Sequence, residues 1–169
     1  MLTLLIADRA KAEIVSNIIR ASFRNQAEQL GISESNNPNY VAFETTGAVE
    51  KAIDNGETVI LALIEDKPVG TVRYNIDKAN SKKGYINRLA VLPEHRGKNY
   101  GGMLMDYAEE QLQKAGAEFI IISVVASFTK LKEFYEKRGY AGRHLKSVPS
   151  LPFEVLYMEK QVRPPSPTK

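Results

Sequence analysis

The sequence predicts an α/β protein with a mixed sheet covered by helices on both faces, and three observations carry that prediction. Apolar runs of strand length alternate with segments whose apolar residues recur at helical spacing. Two strand-like runs, TVILALI and VGTVRYNI, are separated by the turn-forming EDKP, as in an antiparallel hairpin. The most apolar run of the chain, EFIIISVVA, is flanked by amphipathic segments and suits a central strand covered on both sides. At 169 residues, with no linker and no internal repeat, the chain is expected to form one domain over residues 1–160.

The elements follow in order. LTLLIA at 2–7 reads as a first strand, and Asp8 as the N-cap of a helix with Ile14, Val15, Ile18, Ile19 and Phe23 on one face, ending near Gly31. Val49 and Ile53, at helical spacing, predict a short second helix ending near DNGE. The hairpin of TVILALI and VGTVRYNI comes next, then the turn SKKG and a further strand, YINRLAVL. From Tyr100 the period is helical again, with Leu104, Ala108, Leu112 and Ala115 on one face and Gly116 as the stop. After the central strand, Ser127 is the expected cap of a helix FTKLKEFYEKR, with Leu131, Phe134 and Tyr135 inward and Gly139 at its end. YAGRHLKS and FEVLYMEK fit two last strands, and QVRPPSPTK, at 161–169, reads as a disordered or extended tail.

Composition excludes several classes. No cysteine is present, so disulfides, thiolate zinc and a cysteine nucleophile are out. The only histidines are His95 and His144, read as surface residues, and no carboxylate spacing supports a metal site, so none is expected. The net charge of +3 is spread without a basic stripe interleaved with aromatics, which argues against nucleic acid as a partner. No run is long enough to cross a bilayer and the N-terminus lacks a signal-peptide pattern, so the expectation is a cytoplasmic protein.

Two stretches carry chemistry. In LAVLPEHRGKNYGGMLM, residues 89–105, an apolar strand runs into a loop with glycines at 97, 101 and 102 and then into a helix. Glycines let backbone N–H groups approach a ligand, and the free N–H groups at the helix start, from Tyr100 to Met103, form a positive pole that Arg96 and Lys98 reinforce. An anion site fits this pattern, and so does a tight connection whose glycines merely permit the turn. The P-loop, dinucleotide-fold and nucleophile-elbow motifs are all absent. In LKEFYEKRGY, residues 131–140, Tyr135 lies on the apolar face of a helix near its end, where its hydroxyl needs a partner. Taken alone, it also fits a core tyrosine.

Together and in this order, NRLAVLPEHRGKNYGGMLM and EFYEKRGY resemble the GCN5-related N-acetyltransferase (GNAT) family, and the order of elements extends the resemblance over roughly residues 1–160. It implies a mixed, mostly antiparallel sheet flanked by helices on both faces, and acetyl-CoA as cosubstrate with no metal. It implies that Leu89, Ala90 and Val91 line the pantetheine arm, and that a bulge in their strand frees a backbone N–H for the oxyanion. The loop Arg96, Gly97, Lys98, Asn99, Tyr100, Gly101 and Gly102 would wrap the pyrophosphate, with Arg96 first and Gly101 last in the family's pattern. Tyr135 matches the tyrosine that protonates the departing CoA thiolate. The acceptor is then a small-molecule or peptide amine, attacking the thioester with no covalent enzyme intermediate. Edge strands near the C-terminus would allow a homodimer.

Three positions depart from the family. Asn99 stands where a glycine is usual, and Asn is the residue other than glycine that best tolerates positive φ. Phe128 stands where many members carry an Asn. No carboxylate occupies YINRLAV or FIIISVV, which leaves Glu44 or Tyr85, through water, or an already neutral amine, as routes for proton loss. These departures also fit a non-catalytic acyl-CoA-binding regulatory module on the same fold.

Overall fold

In the computed structural model, residues 1–147, 149 and 151–162 are described. They form two compact units, Met1–Asn75 with Arg88–Ala108, and Ile76–Asn87 with Glu109–Lys169. The described elements are strands β1 (Leu2–Ile6), β2 (Thr58–Ile64), β3 (Lys67–Ile76), β4 (Lys83–Val91), β5 (Phe119–Val125), β6 (Ala141–Ser147) and β7 (Glu154–Gln161), and helices α1 (Ala12–Leu30), α2 (Thr46–Asp54), α3 (Tyr100–Lys114) and α4 (Thr129–Lys137).

In the first unit the strands run in the order β1-β2-β3-β4, with β1–β2 and β2–β3 antiparallel. The predicted face of α1 is the one buried: Val15, Ile18 and Ile19 join Val49, Val59, Leu61 and Ala90 in the core, with Ile14 and Phe23 packed against it. Gly31 ends α1 at φ 67, its N–H bonded to Ala27 and Glu28 carbonyls. Asp8, expected to cap α1, instead precedes a 3-10 turn at Arg9–Lys11 and makes no side-chain cap bond. Thr45 takes a true capping position, accepting the Ala48 N–H at 3.0 Å at the start of α2.

The hairpin is tighter than EDKP suggested. Only Glu65 and Asp66 form the turn, both at positive φ, as the two-residue turns that match strand twist require. Lys67 and Pro68 already pair with β2, and Pro68 is tolerated because the register shifts between Ala62 and Leu63.

Gly70 on β3 sets how closely β4 approaches. A Cβ there would lie 2.9 Å from the Ala90 carbonyl oxygen and 3.2 Å from Leu104 Cδ1. Overpacking of this kind costs about 1–3 kcal/mol. Gly70→Val is therefore expected to lower the unfolding free energy read from urea denaturation by that amount and to displace the strand bearing Leu89–Val91, which tryptic cleavage of the native protein near Arg88 would report.

In the second unit the order is β4-β5-β7-β6. β4 and β5 are parallel over Lys83–Phe119 to Tyr85–Ile121, and β7 is antiparallel to both β5 and β6. The apolar run of β5 reads as continuous, yet its burial alternates: Ile120, Ile122 and Val124 are buried, Phe119, Ile121 and Val125 half-buried, and Ser123 exposed. Ser127 does not cap α4; Phe128 holds the capping position without a side-chain bond. β6 is exposed along its whole length at the edge of the order. Gln161, assigned from sequence to the tail, closes β7, and buried Val162 donates its N–H to Glu118 at 2.8 Å. The rest of that tail, 163–169, lies outside the described residues. Among the described residues no helix is long and apolar enough to cross a membrane.

Candidate active site

The site residues of the first unit begin at Arg88. It sits in β4 at φ 55, a left-handed conformation that a non-glycine residue adopts only at a cost. It lies within the continuous strand, immediately before Leu89, Ala90 and Val91. Ala90 is buried and Leu89 and Val91 half-buried. The strand is followed by a 3-10 turn at Pro93–His95, and the exposed Arg96 follows it. Its Nε donates to the Val91 carbonyl at 3.2 Å, and one terminal nitrogen donates to the Ser22 carbonyl at 2.8 Å and to Ser22 Oγ at 3.1 Å. Ser22 Oγ in turn donates to the Val91 carbonyl at 3.2 Å. The guanidinium therefore ties the loop to α1 and to the end of β4. Arg96, the first residue of the expected pyrophosphate loop, is thus braced through Nε and one terminal nitrogen, and Ser22, a buried serine on an apolar helix face, had no sequence signal for this contact.

Past Arg96 the loop exposes backbone. Gly97 and Asn99 take φ 82 and 64, so Asn99 adopts the positive φ expected of it. The first bond of α3 runs from Met103 N–H to the Asn99 carbonyl at 3.1 Å, and among the described residues the N–H groups of Asn99, Tyr100, Gly101 and Gly102 have no hydrogen-bond acceptor. Four unpaired donors at the start of a 15-residue helix, beside exposed Lys98, make an anion cradle. The glycines divide the work. A Cβ at Gly101 would meet only Val91 Cγ2, at 3.9 Å, whereas one at Gly102 would collide with the Asn99 carboxamide.

Asn99→Ala is expected to cost about 1 kcal/mol, because alanine pays the full left-handed penalty and Asn does not. Asn99→Gly should recover that loss, and thermal denaturation of the two variants checks the order.

In the second unit Tyr135 is 8% exposed, with its ring between those of Phe134 and Tyr140 at centroid distances of 5.1 and 5.8 Å, both edge-on. Burial pushes its phenol well above the ordinary tyrosine range, opposed only weakly by the Arg138 charge. Among the described residues nothing hydrogen-bonds its hydroxyl, and burial favours the protonated form. The ring is held from behind by a charged cluster. Tyr140 Oη donates to Glu109 Oε2 at 2.7 Å, and Lys160 Nζ donates to Glu109 Oε1 at 3.1 Å and lies 5.7 Å from the Tyr140 ring centre. Burial and the Glu109 charge raise Tyr140 too, so it acts as a fixed donor. Glu109 falls on the inward side of α3 among apolar neighbours, and its partners come from elements far apart in sequence, so no local pattern exposed it.

The candidate proton acceptors are both occupied. Each oxygen of buried Glu44 accepts from an arginine, Arg73 at 2.5 Å and Arg88 at 3.3 Å. Tyr85 donates to Asp77 Oδ2 at 2.9 Å, and partial burial followed by that bond raises its pKa, so it holds its proton. Phe128 is half-buried at the start of α4. His144 is exposed on β6 beside the Tyr157 ring, and His95 is half-buried in the 3-10 turn.

A left-handed residue within a strand just before Leu89–Val91, then a glycine-rich loop whose N–H groups open a helix, places this site on an α/β fold. Comparison with known proteins gives this class its family. The profile of the Acetyltransferase (GNAT) family matches residues 12–140. The chain is 31% identical over 120 residues to the aminoalkylphosphonate N-acetyltransferase of Salmonella typhimurium, covering 69% of this chain and 77% of that one. It is 31% identical over 90 residues to the uncharacterized N-acetyltransferase YjcF of Bacillus subtilis, covering 52% and 59%. Among solved structures, the PaiA N-acetyltransferase of Thermoplasma acidophilum in complex with coenzyme A superposes with a TM-score of 0.78 at 18% identity, over 96% of this chain and 99% of that one. The chain belongs to the GNAT acetyltransferase family, and its mixed, mostly antiparallel sheet is that family's fold.

Proposed function

We propose that residues 1–160 act as one catalytic domain that transfers the acetyl group of acetyl-CoA directly to an amine. The observation that carries this reading is the set of unpaired N–H groups from Asn99 to Gly102, which suits the pyrophosphate of a CoA thioester. Gly97 to Gly102 would receive that pyrophosphate through backbone N–H groups, with Lys98 adding charge, and Leu89 to Val91 would align the pantetheine arm by strand-like hydrogen bonds. The amine lone pair attacks the thioester carbonyl carbon, and a backbone N–H of Leu89–Val91, released by the left-handed Arg88, stabilises the oxyanion. As the C–S bond breaks, Tyr135 gives its proton to the sulfur, which prevents the thiolate from re-attacking.

The occupied oxygens of Glu44 and the protonated Tyr85 support a different proton route: the amine attacks as the neutral base, and the proton its nitrogen sheds on becoming the amide leaves to water, from which Tyr135 regains its own. The same occupancy favours a second reading, a regulatory module that binds acyl-CoA without turnover. Release of free CoA thiol from acetyl-CoA across a panel of amines separates the two. Amine-dependent release is expected; tight CoA binding without release would establish the regulatory module instead.

A further inference from the structure

The cluster around Glu44 is unbalanced. Arg73 and Glu44 are each 6% exposed, and among the described residues Glu44 is the one carboxylate within 4.0 Å of either Arg73 or Arg88. Two guanidinium groups thus share one carboxylate, leaving a residual positive charge in a largely desolvated place. Buried charge left unmatched is strongly disfavoured unless something else partners it. Arg73 Nε is buried with no hydrogen-bond partner, so the cluster is under-supplied with acceptors as well as with negative charge.

Arg88 is the open member. Its side chain is 31% exposed, against 7% for Arg73 and 5% for Glu44. It gives Glu44 only its Nε, and among the described residues its two terminal nitrogens make no hydrogen bond. That leaves a planar fork of N–H donors, a geometry that fits two oxygens of one anion better than any single charge does. Arg73 and Glu44 hold the fork from behind. In sequence Arg88 immediately precedes Leu89, with consecutive Cα atoms about 3.8 Å apart, so an anion on this fork lies within about one arginine side chain's reach of the first residue of the proposed thioester rail.

We propose that Arg88, backed by Arg73 and Glu44, recognises an anionic group on the acceptor: the substrate is a small amine carrying a carboxylate or phosphonate a few bonds from its nitrogen. This rests on the acetyltransferase reading for its consequence, although the anion site stands on the cluster alone. The shared chemistry is a pair of anionic oxygens facing a guanidinium fork.

The test compares 2-aminoethylphosphonate, β-alanine and n-propylamine, which share a chain length and differ in the anion. The expected result is a higher kcat/KM for one or both acids than for propylamine, with the better acid identifying the anion. Arg88→Gln should lower the ratio of kcat/KM for that acid to kcat/KM for propylamine by about tenfold or more, as loss of a charged hydrogen bond does, chiefly through KM. A variant that lost activity on all three amines alike would show a merely structural arginine and overturn the proposal. Calorimetric titration of the CoA-bound protein with each acid separates this proposal from the one it builds on. Binding of an acid that Arg88→Gln abolishes, with no acetyl transfer, upholds the anion site and overturns the enzyme reading; acetylation of propylamine with no binding of either acid does the reverse.

Discussion

Gly101→Val is expected to abolish CoA binding while leaving the protein folded. Residue 101 lies in the first turn of α3 with no positive φ to protect, and a Cβ there meets nothing nearer than Val91 Cγ2 at 3.9 Å. The protein itself does not need this glycine. In a helix glycine is among the worst residues, so Gly101→Ala should stabilise the fold by up to about 1 kcal/mol. A ligand anion approaching the amides of Tyr100 to Gly102 would meet the new side chain directly. Losing two amide hydrogen bonds to a charged group, at about 1.5–3 kcal/mol each, weakens binding by at least about 100-fold. Isothermal titration with CoA beside thermal denaturation gives the two signs independently. Unchanged CoA affinity in Gly101→Val would remove the loop from the ligand site. Gly102 offers no such separation, since a side chain there forces the Asn99 carboxamide to move whatever the ligand does.

Tyr135→Phe should lower kcat by about 100-fold, the lower end of what a positioned proton donor supplies, and leave CoA affinity unchanged. The phenylalanine ring preserves the edge-on contacts with Phe134 and Tyr140, so packing survives and only the hydroxyl is lost. The pH profile adds a second check. A general acid works while protonated, and burial raises this phenol above its ordinary pKa of about 10, so its ionisation should impose no alkaline fall in kcat up to that pH. The same shift bears on stability. A pKa raised in the folded state gives a contribution fully present below the unfolded value of about 10 and lost as pH rises through the folded one. A thermal transition that drops at neutral to mildly alkaline pH would have to come from another group. Equal turnover by Tyr135→Phe would overturn the assignment of the acid.

Much of this was legible in the chain because the signals are local. The buried face of α1, the stop at Gly31, the strands TVILALI and YINRLAVL and the start of α3 at Tyr100 depend on residues within one or two turns of one another. The failures were also local, at boundaries where two nearby residues compete: Asp8 against a 3-10 turn, Ser127 against Phe128, and EDKP against a turn of Glu65 and Asp66 alone. The capping Thr45 lacked only a strong apolar period after it.

The sequence by itself determined the order of elements, the glycine-rich loop after an apolar strand, and the pairing of that loop with EFYEKRGY, because each is a contiguous pattern of residue types. Only the tertiary structure decided what the charged side chains do. Arg96 faces Ser22, 74 positions away, instead of the loop it opens; Glu44 is claimed by arginines 29 and 44 positions on; Glu109 anchors Tyr140 from 31. A long charged side chain has several partners within reach of its stem, and which one it takes depends on which elements the core brings beside it. That choice is made by the packing of apolar faces, and it set Arg96 against Ser22 and Val91 and Glu44 between Arg73 and Arg88.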